Sequence, residues 1–340
     1  MRDLIGPKTV VSVFFGGGTP SLMRPDTAEA VINEIAKNFQ VVDNIEITME
    51  ANPSSVEQKR FKNYREAGVN RVSLGVQSLL DEALQFLGRR HSAAEGRAAL
   101  QIARDTFDRV SFDLIYARPE QKVKAWQEEL ESALELAGAG HLSLYQLTIE
   151  PGTAFETQVK RGAFRPLDDD RAADLYELTQ NSSAAHGLAQ YEISNYARPG
   201  EESVHNKLYW TYSDTIGVGP GAHGRLTLDR KKVSTRAHRA PQIWLDRVAT
   251  DGHGYHPFEE IDALARAWET ILMGLRLREG LPFKRIEEEA GTDWKKLIDE
   301  KMLDRYVEAG FIKRTDAYIA LQPPGFQRLE GILRDIVITA

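Results

Sequence analysis

The chain has 340 residues, 42% hydrophobic and 27% charged, with a formal charge of −7 and no Cys. That length exceeds the roughly 250–300 residues at which one core stops growing, and no apolar run approaches the roughly 20 residues of a membrane span; two domains of a cytoplasmic protein are expected. The negative charge disfavours non-specific contact with phosphate backbones, and the missing thiols exclude disulfides, thiolate catalysis, zinc-thiolate sites and Cys-ligated iron–sulfur clusters within the chain.

The first residues, Met1-Arg2-Asp3-Leu4-Ile5-Gly6-Pro7, carry no apolar signal segment and lead straight into a strand. From Thr9 to about Asn195 one grammar repeats: a β-branched or aromatic run, then polar or Gly residues, then an amphipathic helical stretch. The runs are residues 9–15, 44–50, 71–76, 110–115, 141–148 and 190–194. The intervening helices carry start signals: Asp26 before 27–38, Ser54 and Ser55 before 57–67, and Ser92 before 93–107, with Gly68 as a stop. Six parallel strands joined by crossover helices fit either a doubly wound sheet or an incomplete barrel, and periodicity does not choose between them.

From Asp262 the pattern turns helical, over 262–277, 283–290 and 294–309, closed by Gly310. A hairpin follows at 311–314 and 317–321, then a last helix after Pro323-Pro324. Three helices and a two-stranded wing are the order of a winged helix-turn-helix. The Gly/His/Pro-rich stretch 251–257 sets the division into a first domain, residues 1–255, and a helical winged-helix-like domain, residues 256–340.

In parallel βα folds ligands lie at the carboxyl ends of the strands. Those positions hold Gly16-Gly17-Gly18-Thr19-Pro20, Glu50 with Asn52, Gln77 with Ser78, Asp113, Gln146 with Thr148, and Asn195. The glycines let backbone groups approach a ligand closely, or simply form a tight turn before a helix. No Lys-Ser/Thr pair follows at P-loop spacing. Glu50 and Asp113 suit hydroxyl recognition or acid–base work, or else cap helices. Arg89 can fork onto a carboxylate or lie solvated on the surface. Residues 217–224, Gly-Val-Gly-Pro-Gly-Ala-His-Gly, look like a dinucleotide loop, but Pro220 and the lack of a following helix argue against one.

Taken together, Phe15-Gly-Gly-Gly-Thr-Pro-Ser21, Glu50-Ala-Asn-Pro53, Ser73-Leu-Gly-Val-Gln-Ser78, Gly88-Arg-Arg-His91 and Asp113-Leu-Ile-Tyr116 resemble, in order and spacing, the radical S-adenosylmethionine (SAM) proteins related to oxygen-independent coproporphyrinogen III oxidase. The resemblance covers nearly the whole chain and implies an α/β fold: a partial parallel (β/α) barrel of the radical-SAM type followed by the winged-helix-like domain. It implies that Gly17 and Gly18 lie at the amino group of SAM, Gln77 and Arg89 at its carboxylate, Glu50 and Asp113 at its ribose, and Thr148 beside its adenine, with Thr19 also among the SAM-binding residues. His205-Asn206-Lys207-Leu208-Tyr209-Trp210 is similar to the His-Asn-x-x-Tyr-Trp motif of the family's haem-chaperone branch. It implies His205 as a haem-iron ligand and Tyr209 and Trp210 as porphyrin contacts; an aromatic pair and a hydrogen-bonded His closing the barrel is the structural alternative. His223 is a weaker candidate of the same kind.

The family holds a [4Fe–4S] cluster on a Cys-x-x-x-Cys-x-x-Cys motif that this sequence lacks. Met1 falls where relatives have the helix after their first strand, so a start codon placed too late in the gene is expected, with a genuine cluster-less product as the alternative. Either way the 9–15 run becomes an unpaired edge prone to aggregation, and the chain alone is expected to do no radical chemistry. Pro119-Glu120-Gln121 replaces the Pro-Gly-Gln often found in relatives. The implied function is haem delivery to haemoproteins, with haem-receiving partners that include a membrane-associated haemoprotein client, and with a homodimer allowed. The alternative is oxygen-independent coproporphyrinogen III oxidase activity, against which the His-Asn-x-x-Tyr-Trp motif speaks. A DNA-reading regulator is disfavoured, because from Asp262 onward 13 Lys and Arg face 14 Asp and Glu.

Overall fold

The computed structural model describes residues 2–54, 58–138 and 140–338, in two compact units, Thr9–Val204 and Met1–Lys8 with His205–Ala340. In the first unit the expected runs form five parallel strands in chain order: β1 (Thr9–Phe15), β2 (Gln40–Ala51), β3 (Arg71–Gln77), β4 (Arg109–Tyr116) and β5 (His141–Gln146). Parallel neighbours need a crossover, supplied by the helices Pro25–Asn38, Phe61–Glu66, Ala93–Thr106 and Val123–Ala137. The result is the partial parallel (β/α) barrel, with β1 at one edge of the sheet.

Strand alternation separates a packing face from a polar one. Val72, Leu74 and Val76 of β3, Phe112 and Leu114 of β4, and Leu142 and Leu144 of β5 are buried, as are Leu100, Ala103, Trp126, Leu130 and Leu134 of the helices. The intervening residues pair across the strands as polar neighbours, Ser73 with Ser111 and Asp113 with Ser143. Part of this polar face is engaged within the fold: Ser111 Oγ lies 2.7 Å from His141 Nδ1, and Ser143 Oγ donates to Asn195 Oδ1 at 2.5 Å.

The sixth strand departs from expectation. Residues 190–194 are not one parallel strand: β6 is only Ala189–Gln190, and after a turn β7 (Asn195–Ala197) runs antiparallel to both β5 and β6. Glu192 drives the reversal. Its buried carboxylate accepts from the side chain of Asn195 and, at 3.3 Å, from the Ser194 N–H, while the Tyr191 N–H donates to the Asn195 carbonyl.

Local helix signals are realised unevenly. Ser92 closes a capping box: its Oγ accepts the Glu95 N–H at 3.2 Å and Glu95 Oε2 accepts the Ser92 N–H at 2.8 Å. Ser92→Ala is expected to cost about 1 kcal/mol, measurable as a lower urea midpoint. Asp26 lies inside its helix, whose cap is Arg24 before Pro25. Of the helix expected over 57–67, the start at Ser55 and Glu57 lies outside the described residues, and the helix Phe61–Glu66 begins later.

The second unit opens with the helix Val204–Trp210, whose first residue belongs to the barrel unit, and a hairpin of β8 (His223–Leu228) and β9 (Lys231–Arg236). Asp229 and Arg230 turn this hairpin with φ of +47° and +67°. The two-residue β10 (Glu259–Glu260) adds to β9. Three helices follow, Ala263–Gly274, Phe283–Ala290 and Glu300–Glu308. A wing of β11 (Leu281–Pro282), β12 (Ile312–Arg314) and β13 (Tyr318–Leu321) completes the winged-helix order. Among the described residues no helix is long and apolar enough to cross a membrane.

Candidate functional site

The carboxyl ends of β1 to β4 bring together the residues singled out there. Gly17 and Gly18 have φ of +79° and +58°, with no atom within 4 Å of an added Cβ. The glycine turn is thus an open cradle in a conformation that side chains resist. The Gly17 N–H donates to Glu50 Oε2 at 3.1 Å, tying the turn to the end of β2. Burial raises the Glu50 carboxyl above its ordinary value, and the Gly17 N–H opposes that rise.

Where β3 ends, Gln77 Nε2 donates at 3.4 Å to Oδ2 of Asp113, which lies inside β4, three residues before its end, and not after it as the sequence suggested. Gln77 holds a left-handed φ of +66°, a strained backbone of the kind found at ligand sites. Gln77 Oε1 and Asp113 Oδ1 are shut off from solvent with no hydrogen-bond partner. Burial pushes Asp113 up to about 6, against the lowering charge of Arg89, which places the exposed Arg89 within electrostatic reach of Asp113. Orphaned buried acceptors are costly, and ligand hydroxyl or ammonium donors would satisfy them.

The remaining rim residues differ in their surroundings. Thr19 caps the short 3-10 helix Pro20–Leu22 without a side-chain bond, and Thr148 is exposed beyond β5, donating to the Gln146 carbonyl at 3.3 Å. Ser78 is buried and bonds Glu129 Oε1 at 2.5 Å, Asn195 accepts from Ser143 at 2.5 Å, and Gln146 donates to the Ala172 carbonyl at 2.9 Å. Behind the rim, Arg118 and Glu129 form a buried ion pair at 2.5 Å that no spacing in the sequence announces. Glu120, where the related turn favours Gly, has φ of +59°, the region glycine occupies freely.

In the second unit the helix Val204–Trp210 carries His205 and Tyr209 one turn apart, their rings edge to face at 4.9 Å. Tyr209 is 41% exposed. Trp210 turns to the Arg276 guanidinium, 5.5 Å over its ring. The 217–224 loop is followed by β8, not a helix, as expected; His223 is exposed at the start of that strand. Among the described residues no three His, Asp or Glu side chains are grouped to hold a metal ion.

A family model described as the radical SAM superfamily matches residues 1–133, and one described as the HemN C-terminal domain matches 261–328. The chain is 34% identical to the heme chaperone HemW of Escherichia coli, over 96% of this chain and 84% of that one. With the heme chaperone HemW of Haemophilus influenzae identity is 36%, over 90% and 79%. With the mouse mitochondrial radical S-adenosyl methionine domain-containing protein 1 it is 42%, over 82% of this chain, which spans 64% of that protein's length. The structure resembles coproporphyrinogen III oxidase (HemN) from Escherichia coli with a TM-score of 0.77 at 20% identity, covering 96% of this chain and 77% of that one. At that identity the likeness speaks for the fold alone.

Proposed function

Because the chain belongs to the haem-chaperone HemW family of the radical-SAM superfamily, we propose that it binds haem and passes it to haem-receiving proteins in the cytoplasm. The observation that carries this reading is the His-Asn-x-x-Tyr-Trp motif on one helix, with the imidazole of His205 set against the exposed ring of Tyr209. A neutral imidazole is a ready iron ligand. A flat apolar macrocycle is the kind of body that exposed aromatic rings cover. Titration of haem by Soret absorbance tests the reading: His205→Ala is expected to weaken binding at least tenfold and to alter the ligand-field bands. Unchanged binding and spectrum would remove His205 from the site.

The superfamily implies SAM and a [4Fe–4S] cluster, and the two fit this chain differently. For SAM we assign Gly17 and Gly18 to its amino group, Gln77 and Arg89 to its carboxylate, Glu50 and Asp113 to its ribose, and Thr148 to its adenine, with Thr19 beside the glycine turn. The open glycine cradle and the orphaned oxygens of Gln77 and Asp113 support that assignment. Bound SAM supplies alkyl-radical chemistry when an electron reaches its sulfonium. The chain has no Cys to hold a cluster, so we derive no radical step for it. Its own residues bind and orient: Arg89 supplies charge for a carboxylate, and Glu50 and Asp113 supply acceptors for hydroxyls.

Three further assignments belong to the same proposal. The division of the chain near residue 255 is supported by the C-terminal family match beginning at residue 261, and it falls within the compact unit that holds His205–Ala340. A membrane-associated haemoprotein is among the clients, and the chain pairs as a homodimer, to be tested by its mass in solution.

A further inference from the structure

In the second unit, the indole of Trp210 is not an open surface. The Arg276 guanidinium lies over it at 5.5 Å, donates from Nη1 to the Leu272 carbonyl at 2.5 Å, and donates from Nη2 to Glu330 Oε1 at 2.8 Å. The arginine is well enclosed, with 19% of its side chain exposed, whereas the side chain of Glu330 is 77% exposed. Ring and carbonyl fix the guanidinium from within its surroundings. Its remaining partner is a carboxylate on a solvated side chain, the kind of contact that contributes little and exchanges readily.

The neighbours extend this pattern. Tyr209 precedes Trp210, and Leu272 supplies the carbonyl; both are 41% exposed. An aromatic ring therefore faces an oriented guanidinium whose fork already carries one replaceable carboxylate. That chemistry matches a flat apolar ligand with carboxylates at its edge.

Building on the haem reading, we propose that Arg276 receives a propionate carboxylate of the bound haem, and that Glu330 holds this position as a competing internal carboxylate in the ligand-free protein. Arg276 thus supplies the polar end of the site. Glu330 satisfies the guanidinium until haem arrives, and it sets an affinity lower than the site can reach.

The two side chains carry opposite expected signs. In Soret titrations of the full chain, Arg276→Gln should weaken haem binding about tenfold, while Glu330→Gln should tighten it about threefold. Haem dimethyl ester, whose propionates are uncharged, should bind both variants within twofold of wild type. A loosened fold cannot mimic the gain from Glu330→Gln. Equal haem affinity in all three proteins, loss in both variants, or an ester that follows the acid would overturn the proposal while leaving haem binding intact. A wild-type chain that takes up no haem would fail the parent reading first, and this inference with it.

Discussion

Glu129→Ala is expected to be the most damaging single change in the barrel unit, lowering stability by about 3–5 kcal/mol. The Glu129 side chain is fully enclosed, and it neutralises Arg118, itself 9% exposed at the side chain, through a contact of 2.5 Å. Its Oε1 also accepts from Ser78 Oγ at 2.5 Å and from the Leu79 N–H at 3.0 Å. Removing the carboxylate strands a buried guanidinium whose remaining partners are the Ile115 carbonyl at 2.9 Å and Ser78 Oγ at 3.2 Å. A charge buried without its partner is what makes such losses large, whereas the intact pair contributes little over an apolar replacement. The double variant Arg118→Met with Glu129→Leu should therefore recover at least half of the loss. Urea unfolding followed by circular dichroism measures both, and a single-variant loss under about 1 kcal/mol would sink the argument.

The consequence reaches the proposed SAM site. Ser78 and Leu79 follow Gln77 directly, and Arg118 lies five residues beyond Asp113, so the ion pair clamps the segments leaving the ends of β3 and β4. Gln77 keeps its strained φ of +66° because its neighbours on the C-terminal side are held in this way. Weakened SAM binding is expected to accompany lost stability in Glu129→Ala, while the double variant separates the two if repacking restores the segment's position.

Legibility in the sequence followed the range of the interactions involved. The parallel strands were readable because their residues alternate or cluster by local rules, and the Ser92 start was readable because the capping box spans three residues. The rim residues could be named because the carboxyl ends of parallel strands must face one side. The turn at 190–194 was missed because Glu192 acts through a buried contact with Asn195 that overrides the strand propensity of Tyr191 and Ile193. Ser78 was misplaced for a related reason: its partner is 51 residues away. The Arg276–Glu330 contact spans 54 residues, and neither residue stands in a motif.

Asp113→Asn tests whether the cofactor rim is built at the expense of stability. Asp113 rises from an ordinary value of 3.8 to about 6, chiefly through burial, with Arg89 pulling the other way. The folded protein therefore holds this proton more tightly than the unfolded chain. The stability that comes from protonated Asp113 is complete below about pH 4, fades between about pH 4 and 6, and is gone above that window. A shift of this size corresponds to about 3 kcal/mol, reduced by whatever solvent reaches the side chain. Asn cannot ionise, so the stability difference between Asp113→Asn and wild type should move in the variant's favour by up to about 3 kcal/mol between pH 4 and pH 7. Arg89→Gln should do the opposite at pH 7, because it withdraws the one charge that offsets the burial of Asp113. SAM affinity should meanwhile fall in Asp113→Asn, since an amide is a poorer acceptor for two ribose hydroxyls than a carboxylate. Gain of stability with loss of binding is the signature of a site residue whose environment is arranged for its ligand. A difference that stays flat across the pH range would show instead that Asp113 titrates as an ordinary solvated carboxylate, and would remove it from the rim's ligand-binding set.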